Sequence, residues 1–143
     1  MVIVKFKKLT DDVRMPIKGS SHAACYDVHA HSIVHKEDNK VAVGLGFKTE
    51  IPKGYRGVIV PRSNLTKSRW VLNHSMGIID SDYRGEWIVV FTSLEVNNKF
   101  PYAVGDRVAQ IYFEPVHDVV IGIVDELEES DRGEGGFGST GIK

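Results

Sequence analysis

The chain has 143 residues, enough for one domain with its own core, and 18 Lys plus Arg against 19 Asp plus Glu leave a formal net charge of -1. That balance excludes a global attraction to nucleic acid or to a membrane surface, so a polyanion would have to be met by a local basic cluster. No apolar run approaches the roughly 18 residues of a membrane span, and the start "MVIVKFKKLTDDVRMP" lacks a secretory cleavage pattern, so the expectation is a cytoplasmic protein with neither nucleic-acid nor membrane partner.

In chain order, short β-branched runs alternate with turn chemistry. They are "VIVKFKKL" (2–9), "YDVHAHSIV" (26–34), "KVAVGLGFKTEI" (40–51), "GVIVP" (57–61), "WIVVFTSLEV" (87–96), "RVAQIYFEPV" (107–116) and "VVIGIV" (119–124). Strands of this length, punctuated by Gly, Pro and Asn about every ten residues, predict an all-β sandwich or barrel. "IPKGYRG" (51–57) and "EVNNKFP" (95–101) read as hairpin connections, and "SNLTKSRW" (63–70) as one or two helical turns with Ser63 as N-cap. Cys25, which has no intramolecular disulfide partner, reads as a small core residue. His29 and His31 would share one strand face, with no Cys or carboxylate spacing that completes a zinc site.

The C-terminal stretch "DRGEGGFGSTGIK" (131–143) is too rich in glycine to hold a shape unaided, yet it carries Arg132, Phe137, Ser139 and Thr140. Glycines and hydroxyls can form an anion nest, an arginine fork suits phosphate, and a phenylalanine face suits a base. Together these describe a lid for a nucleotide. Four further stretches set polar groups in apolar sequence: "AACYDVHA" (23–30), "PRSNLTKSR" (61–69), "MGIIDSDYRGEW" (76–87) and "GDRVAQI" (105–111). In "MGIIDSDYRG" a strand runs into a tight turn holding two carboxylates and a tyrosine, and in "PRSNLT" a cation and a hydroxyl leave a strand together.

In this order the five stretches resemble the five motifs of the trimeric dUTPase family, over residues 23–141 and in a compact form like that of bacterial and phage members. The resemblance implies a single β-jelly-roll (β-clip) domain over residues 1–126, a flexible C-terminal arm over 127–143, and a homotrimer with active sites at subunit interfaces. It implies dUTP diphosphatase activity, dUTP to dUMP and pyrophosphate, which limits uracil incorporation in DNA and supplies dUMP for dTMP synthesis. Asp80 would be the general base for water attack on the α-phosphorus. Asp27 would lie near Mg²⁺ through water. Arg62, Ser63 and Asn64 would hold the phosphate chain, and Gln110 would lie by the α-phosphate. Gly77, Ile78, Ile79 and His74 would read uracil, and Tyr83 would pack under the deoxyribose and leave no room for a 2′-hydroxyl. Arg132, Gly138, Ser139 and Thr140 would meet the γ-phosphate, and Phe137 the uracil face. Asp106 and Arg107 would form structural pairs.

Three positions depart from the family pattern: Cys25 and Asn64 where glycine or another small residue is usual, and His74, beside Asn73, where an asparagine is usual. A dCTP deaminase would need a glutamate at the position of Val90, which disfavours that alternative. A dUTP-responsive regulatory protein with an unidentified protein partner remains the other alternative on the same scaffold.

Overall fold

The computed structural model describes residues 2–37 and 39–136. Eleven strands form among them: β1 (Lys5–Lys8), β2 (Ile17–Lys18), β3 (Tyr26–His29), β4 (Ser32–Glu37), β5 (Lys40–Gly44), β6 (Phe47–Glu50), β7 (Tyr55–Pro61), β8 (Trp70–Leu72), β9 (Gly77–Ile79), β10 (Ile88–Ser93) and β11 (Arg107–Pro115). They make a four-stranded sheet in the order β4-β5-β10-β8, a five-stranded sheet β2-β3-β11-β7-β9 and a ribbon β1-β6, and every pairing is antiparallel.

Period-two patterning dictates which faces meet. In β10, Val89, Phe91 and Ser93 are buried, while Ile88, Val90 and Thr92 point to the other side. Val41 and Val43 of β5 and Trp70 and Leu72 of β8 join them from one sheet, and Val28, Ile59, Ala109 and Ile111 from the other. The core therefore lies between the two sheets, and each large aliphatic or aromatic side chain sealed there contributes about 1.5–3 kcal/mol. Phe47 and Trp87, both fully buried, tilt against each other at 5.6 Å and close the end beneath the ribbon.

Several sequence readings change. The segments after β6 and after β10 are not hairpin turns: β6 pairs with β1 while β7 pairs with β11 and β9, and β10 and β11 lie in different sheets. Both connections carry the chain between sheets, which turn-forming residues serve equally well. Residues 119–124 form no strand, because they lie exposed beyond β11 with no ladder partner among the described residues; Val120 is 100% exposed. "SNLTKSRW" divides into a 3-10 helix (Ser63–Lys67) and β8, and the capping position is Arg62, without a side-chain cap. Cys25 is partly exposed at the entry to β3 instead of lying in the core. No helix among the described residues is long and apolar enough to cross a membrane.

Candidate active site

Asp27 sits in the middle of β3, 4% exposed, directly opposite Gln110 of β11. Gln110 Nε2 donates to Asp27 Oδ1 at 3.0 Å, Arg62 Nε donates to the same oxygen at 3.1 Å, and Arg107 Nη1 donates to Oδ2 at 3.0 Å. Arg62 arrives from the end of β7: Pro61 pairs with Ala109, so in the antiparallel register the next residue runs on toward Val108 and Arg107, and Arg62 Nη1 donates to the Arg107 carbonyl at 3.3 Å. Arg107 arrives through a bulge. Residues three apart on a strand point to opposite faces, but the register shift between Arg107 and Ala109 lets Arg107 and Gln110 both reach Asp27. Burial opposes ionisation of Asp27, yet the Gln110 bond, the Arg62 charge and the two arginine hydrogen bonds outweigh it and hold the carboxyl below its ordinary range.

One carboxylate and two guanidinium groups leave a surplus positive charge, and each arginine keeps N–H groups that Asp27 does not use. The cluster is therefore suited to an anion. His29, two residues along the same strand, has a depressed pKa, first from burial and then from the Arg14 and Arg107 charges; its Nδ1 is buried without a partner among the described residues. Ser63 and Asn64 lie exposed beside the cluster, and Asn64 Oδ1 accepts from the Tyr102 hydroxyl at 3.3 Å. Asn64 is not among the residues of positive φ, so its replacement of a small family residue demands no glycine-like backbone.

A second cluster lies at the other end of β7. Strand β9 is the outer edge of the five-stranded sheet, pairing only with β7, with Ile79 opposite Gly57. Asp80 follows as the first residue of a turn in which the Tyr83 amide donates to the Asp80 carbonyl at 3.2 Å. Arg84 Nη1 ties that turn down through the carbonyls of Ser81 at 2.8 Å and Thr49 at 3.4 Å. Tyr83 donates its hydroxyl to the Glu86 carbonyl at 3.1 Å. Asp80 itself is exposed, its carboxylate takes no hydrogen bond among the described residues, and it lines a groove of ≈ 1100 Å³ with Tyr55, Arg56 and Asp82. An unengaged carboxylate on a pinned turn can accept a proton from a bound water.

Within one chain the two clusters do not meet. Asp80 lies level with Arg56, and the extended backbone from there to Arg62 covers roughly 20 Å. His74 is exposed at the Arg62 end, while Asn73 beside it is taken up by Thr92, whose hydroxyl donates to Asn73 Oδ1 at 2.6 Å. Among the described residues Arg132 bonds only within its own turn, to the Gly135 carbonyl at 2.8 Å. Phe137, Gly138, Ser139 and Thr140 lie outside the described residues. Arg107 is the functional candidate that sequence reading set aside as a structural pair: it does pair, but with Asp27. Asp106 is structural, accepting from the Ala103 amide at 2.8 Å.

Among the described residues no group of three or more His, Cys, Asp or Glu side chains could hold a metal ion. Asp27 already accepts three hydrogen bonds. An ionised carboxylate has about four lone-pair sites, so one position on Oδ2 is left: room for a single bridging water, not for direct ligation. The donor set fits a metal that arrives on a phosphate chain, as Mg²⁺ commonly does, and does not fit a protein-built cage.

An antiparallel β sandwich with a two-arginine anion cluster at one end of a strand and a carboxylate, free among the described residues, beside a tethered tyrosine at the other has the parts to bind a polyphosphate and to take a proton from water. The chain belongs to the dUTPase family, whose model matches residues 11–141. It is 43% identical over 141 residues to the mitochondrial deoxyuridine 5′-triphosphate nucleotidohydrolase of Dictyostelium discoideum, covering 97% of this chain and 77% of that one. It is 39% identical over 145 residues to the deoxyuridine 5′-triphosphate nucleotidohydrolase of Syntrophotalea carbinolica, covering 99% and 98%. The structure of a Staphylococcus bacteriophage 80alpha dUTPase with dUpNHpp superposes with a TM-score of 0.82 at 24% identity, covering 98% of this chain and 99% of that one, and so shares the fold.

Proposed function

We propose that this chain hydrolyses dUTP to dUMP and pyrophosphate, with sites assembled between protomers of a homotrimer. The observation that carries this reading is the Asp80 carboxylate, unengaged among the described residues, on a turn held through Ser81, Tyr83 and Arg84. Asp80 takes a proton from a water, the water oxygen bonds to the α-phosphorus, and the bond from that phosphorus to the bridging oxygen breaks, so that pyrophosphate leaves with the electron pair. A positioned base contributes about 10²–10⁴-fold, and the remaining acceleration comes from orientation and charge neutralisation. Arg62, Arg107 and Gln110 supply that on the phosphate chain, with the Ser63 hydroxyl and the Asn64 backbone beside them. The last acceptor position of Asp27 would hold Mg²⁺ through one water, and the ion would supply neutralisation of the charge that develops on the phosphates.

Uracil is read by Gly77, Ile78 and Ile79, and the position of β9 supports this. Its outer edge has no ladder partner among the described residues, so backbone N–H and C=O groups are available to match a base edge. Cytosine would present the opposite donor and acceptor pattern, and mispaired buried polar groups can cost factors of about 10⁴. His74 stands exposed at the start of that segment. The arm from residue 127 acts as a lid, with Arg132, Gly138, Ser139 and Thr140 for the γ-phosphate and Phe137 over the base. The roughly 20 Å between Arg62 and Asp80 is the support for a site shared between protomers.

Pyrophosphate release measured with Mg²⁺ and dUTP, dTTP, dCTP and UTP in turn tests the reading. Preferential release from dUTP is expected; equal rates on all four, or none on dUTP, would overturn it.

A further inference from the structure

Tyr83 is 43% exposed, and an exposed tyrosine ring ordinarily samples several rotamers. Here its position is set by the residues that follow it. The ring lies directly over the Cα of Gly85: a Cβ there would overlap the Tyr83 hydroxyl oxygen and ring carbon Cζ, and would lie 2.9 Å from Cε2. The hydroxyl donates to the Glu86 carbonyl at 3.1 Å. That carbonyl belongs to a segment which cannot drift. Glu86 Oε1 accepts from the Gly46 amide at 2.8 Å, in the turn between β5 and β6. Trp87 bonds to the same region in both directions, its amide to the Phe47 carbonyl at 3.1 Å and its carbonyl from the Leu45 amide at 3.0 Å. Its side chain is sealed in the core. A flexible side chain is thus seated on a bare Cα and latched at its tip to a rigid frame.

We propose that Gly85 is a positioning residue for sugar discrimination: it leaves the space in which the Tyr83 ring lies, and with the Glu86 carbonyl it fixes how closely that ring approaches the 2′ position of the substrate. The inference rests on the reading of Tyr83 as the residue under the deoxyribose. Gly85 has no need of a positive φ, so the glycine answers to the ring and not to the backbone. The atoms that an added methyl would displace are the far end of one exposed side chain, so the fold tolerates the change while the ring does not keep its place.

The test is the ratio of kcat/KM for dUTP over UTP in Gly85→Ala, read beside its melting temperature. A fall in the ratio of at least about tenfold is expected, the scale of a misplaced methyl-sized contact, with the melting temperature within about 3 °C of the wild type. In a Tyr83→Ala background the added Gly85→Ala change should alter the ratio less than about twofold, because Gly85 acts only through the ring. An unchanged ratio in Gly85→Ala, or an equal fall in the Tyr83→Ala background, overturns the proposal. Should Gly85→Ala fail to fold, Tyr83→Phe removes the latch without adding bulk; a ratio lowered severalfold supports the proposal and an unaltered ratio overturns it. A crystal structure of unliganded Gly85→Ala supplies a readout independent of turnover: the Tyr83 hydroxyl should leave the Glu86 carbonyl, and its retention there overturns the seat. A wild type that releases no pyrophosphate from dUTP defeats the hydrolase reading instead, whatever that structure shows.

Discussion

Asp27 and Asp80 are both acids in a strand or at its end, and their surroundings are opposite. Asp27 is buried and accepts three hydrogen bonds, so it orders two arginines and a glutamine. Asp80 is exposed and, among the described residues, unengaged, as the proposed base requires. Asp80→Asn should accordingly reduce kcat by at least about 10²-fold while dUTP binding, followed by calorimetry, stays within an order of magnitude. Asp27→Asn should lower stability by roughly 1–3 kcal/mol, the cost of leaving partly buried guanidinium groups without their counter-charge. The pH dependence has a definite sign: the Asp27 carboxyl is held below its ordinary value, so its contribution is complete above the unfolded pKa of about 3.9 and disappears as pH falls through the lower folded value. Urea unfolding of the two proteins should differ by a constant amount from pH 7 to pH 5 and converge below about pH 4. The motif resemblance singled out Asp27, Arg62 and Gln110, which the structure brings into one cluster. Arg107 was not, because a bulge is a feature of backbone pairing, and spacing alone puts Arg107 and Gln110 on opposite faces.

At the scale of elements, the alternation of apolar residues revealed the strands, and their partners were decided elsewhere. "KVAVGLGFKTEI" reads as one run, yet it divides at Leu45 and Gly46, where φ of +75° turns the chain out of one sheet and into the ribbon. The Glu86 carboxylate and the Trp87 amide and carbonyl close on that turn, and neither contact has a local sequence signal. Strand β7 shows the same dependence on distant partners. A Cβ at Gly57 would lie 2.5 Å from Trp87 Cη2 and 3.2 Å from Ile51 Cδ1, so the glycine is a packing requirement of the buried indole. Gly57→Ala should destabilise by about 1–3 kcal/mol through overpacking, read as a melting temperature lower by roughly 3–10 °C. Gly77→Ala in the paired strand, whose added Cβ would meet Ile59 at an ordinary 3.4 Å, should cost much less.

At the scale of the whole molecule, the proposed homotrimer would complete what one chain leaves open. Residues 119–124 have strand composition and no strand partner among the described residues, and Arg62 and Asp80 lie roughly 20 Å apart along β7. Each is accounted for if protomers complete one another, a relation that no single-chain periodicity can carry. Truncation before Asp131 should then abolish most turnover and leave trimer mass and melting temperature in place; a large loss of stability would make the tail structural. The shared site is tested most directly by mixing two inactive proteins, Arg62→Ala and Asp80→Asn, unfolding them together and refolding. If each site takes Arg62 from one protomer and Asp80 from another, dUTP hydrolysis returns to roughly a quarter of the wild-type rate, because a random mixture pairs two intact contributions at about that frequency. Activity no greater than the sum of the two variants refolded alone would contradict a site shared between protomers.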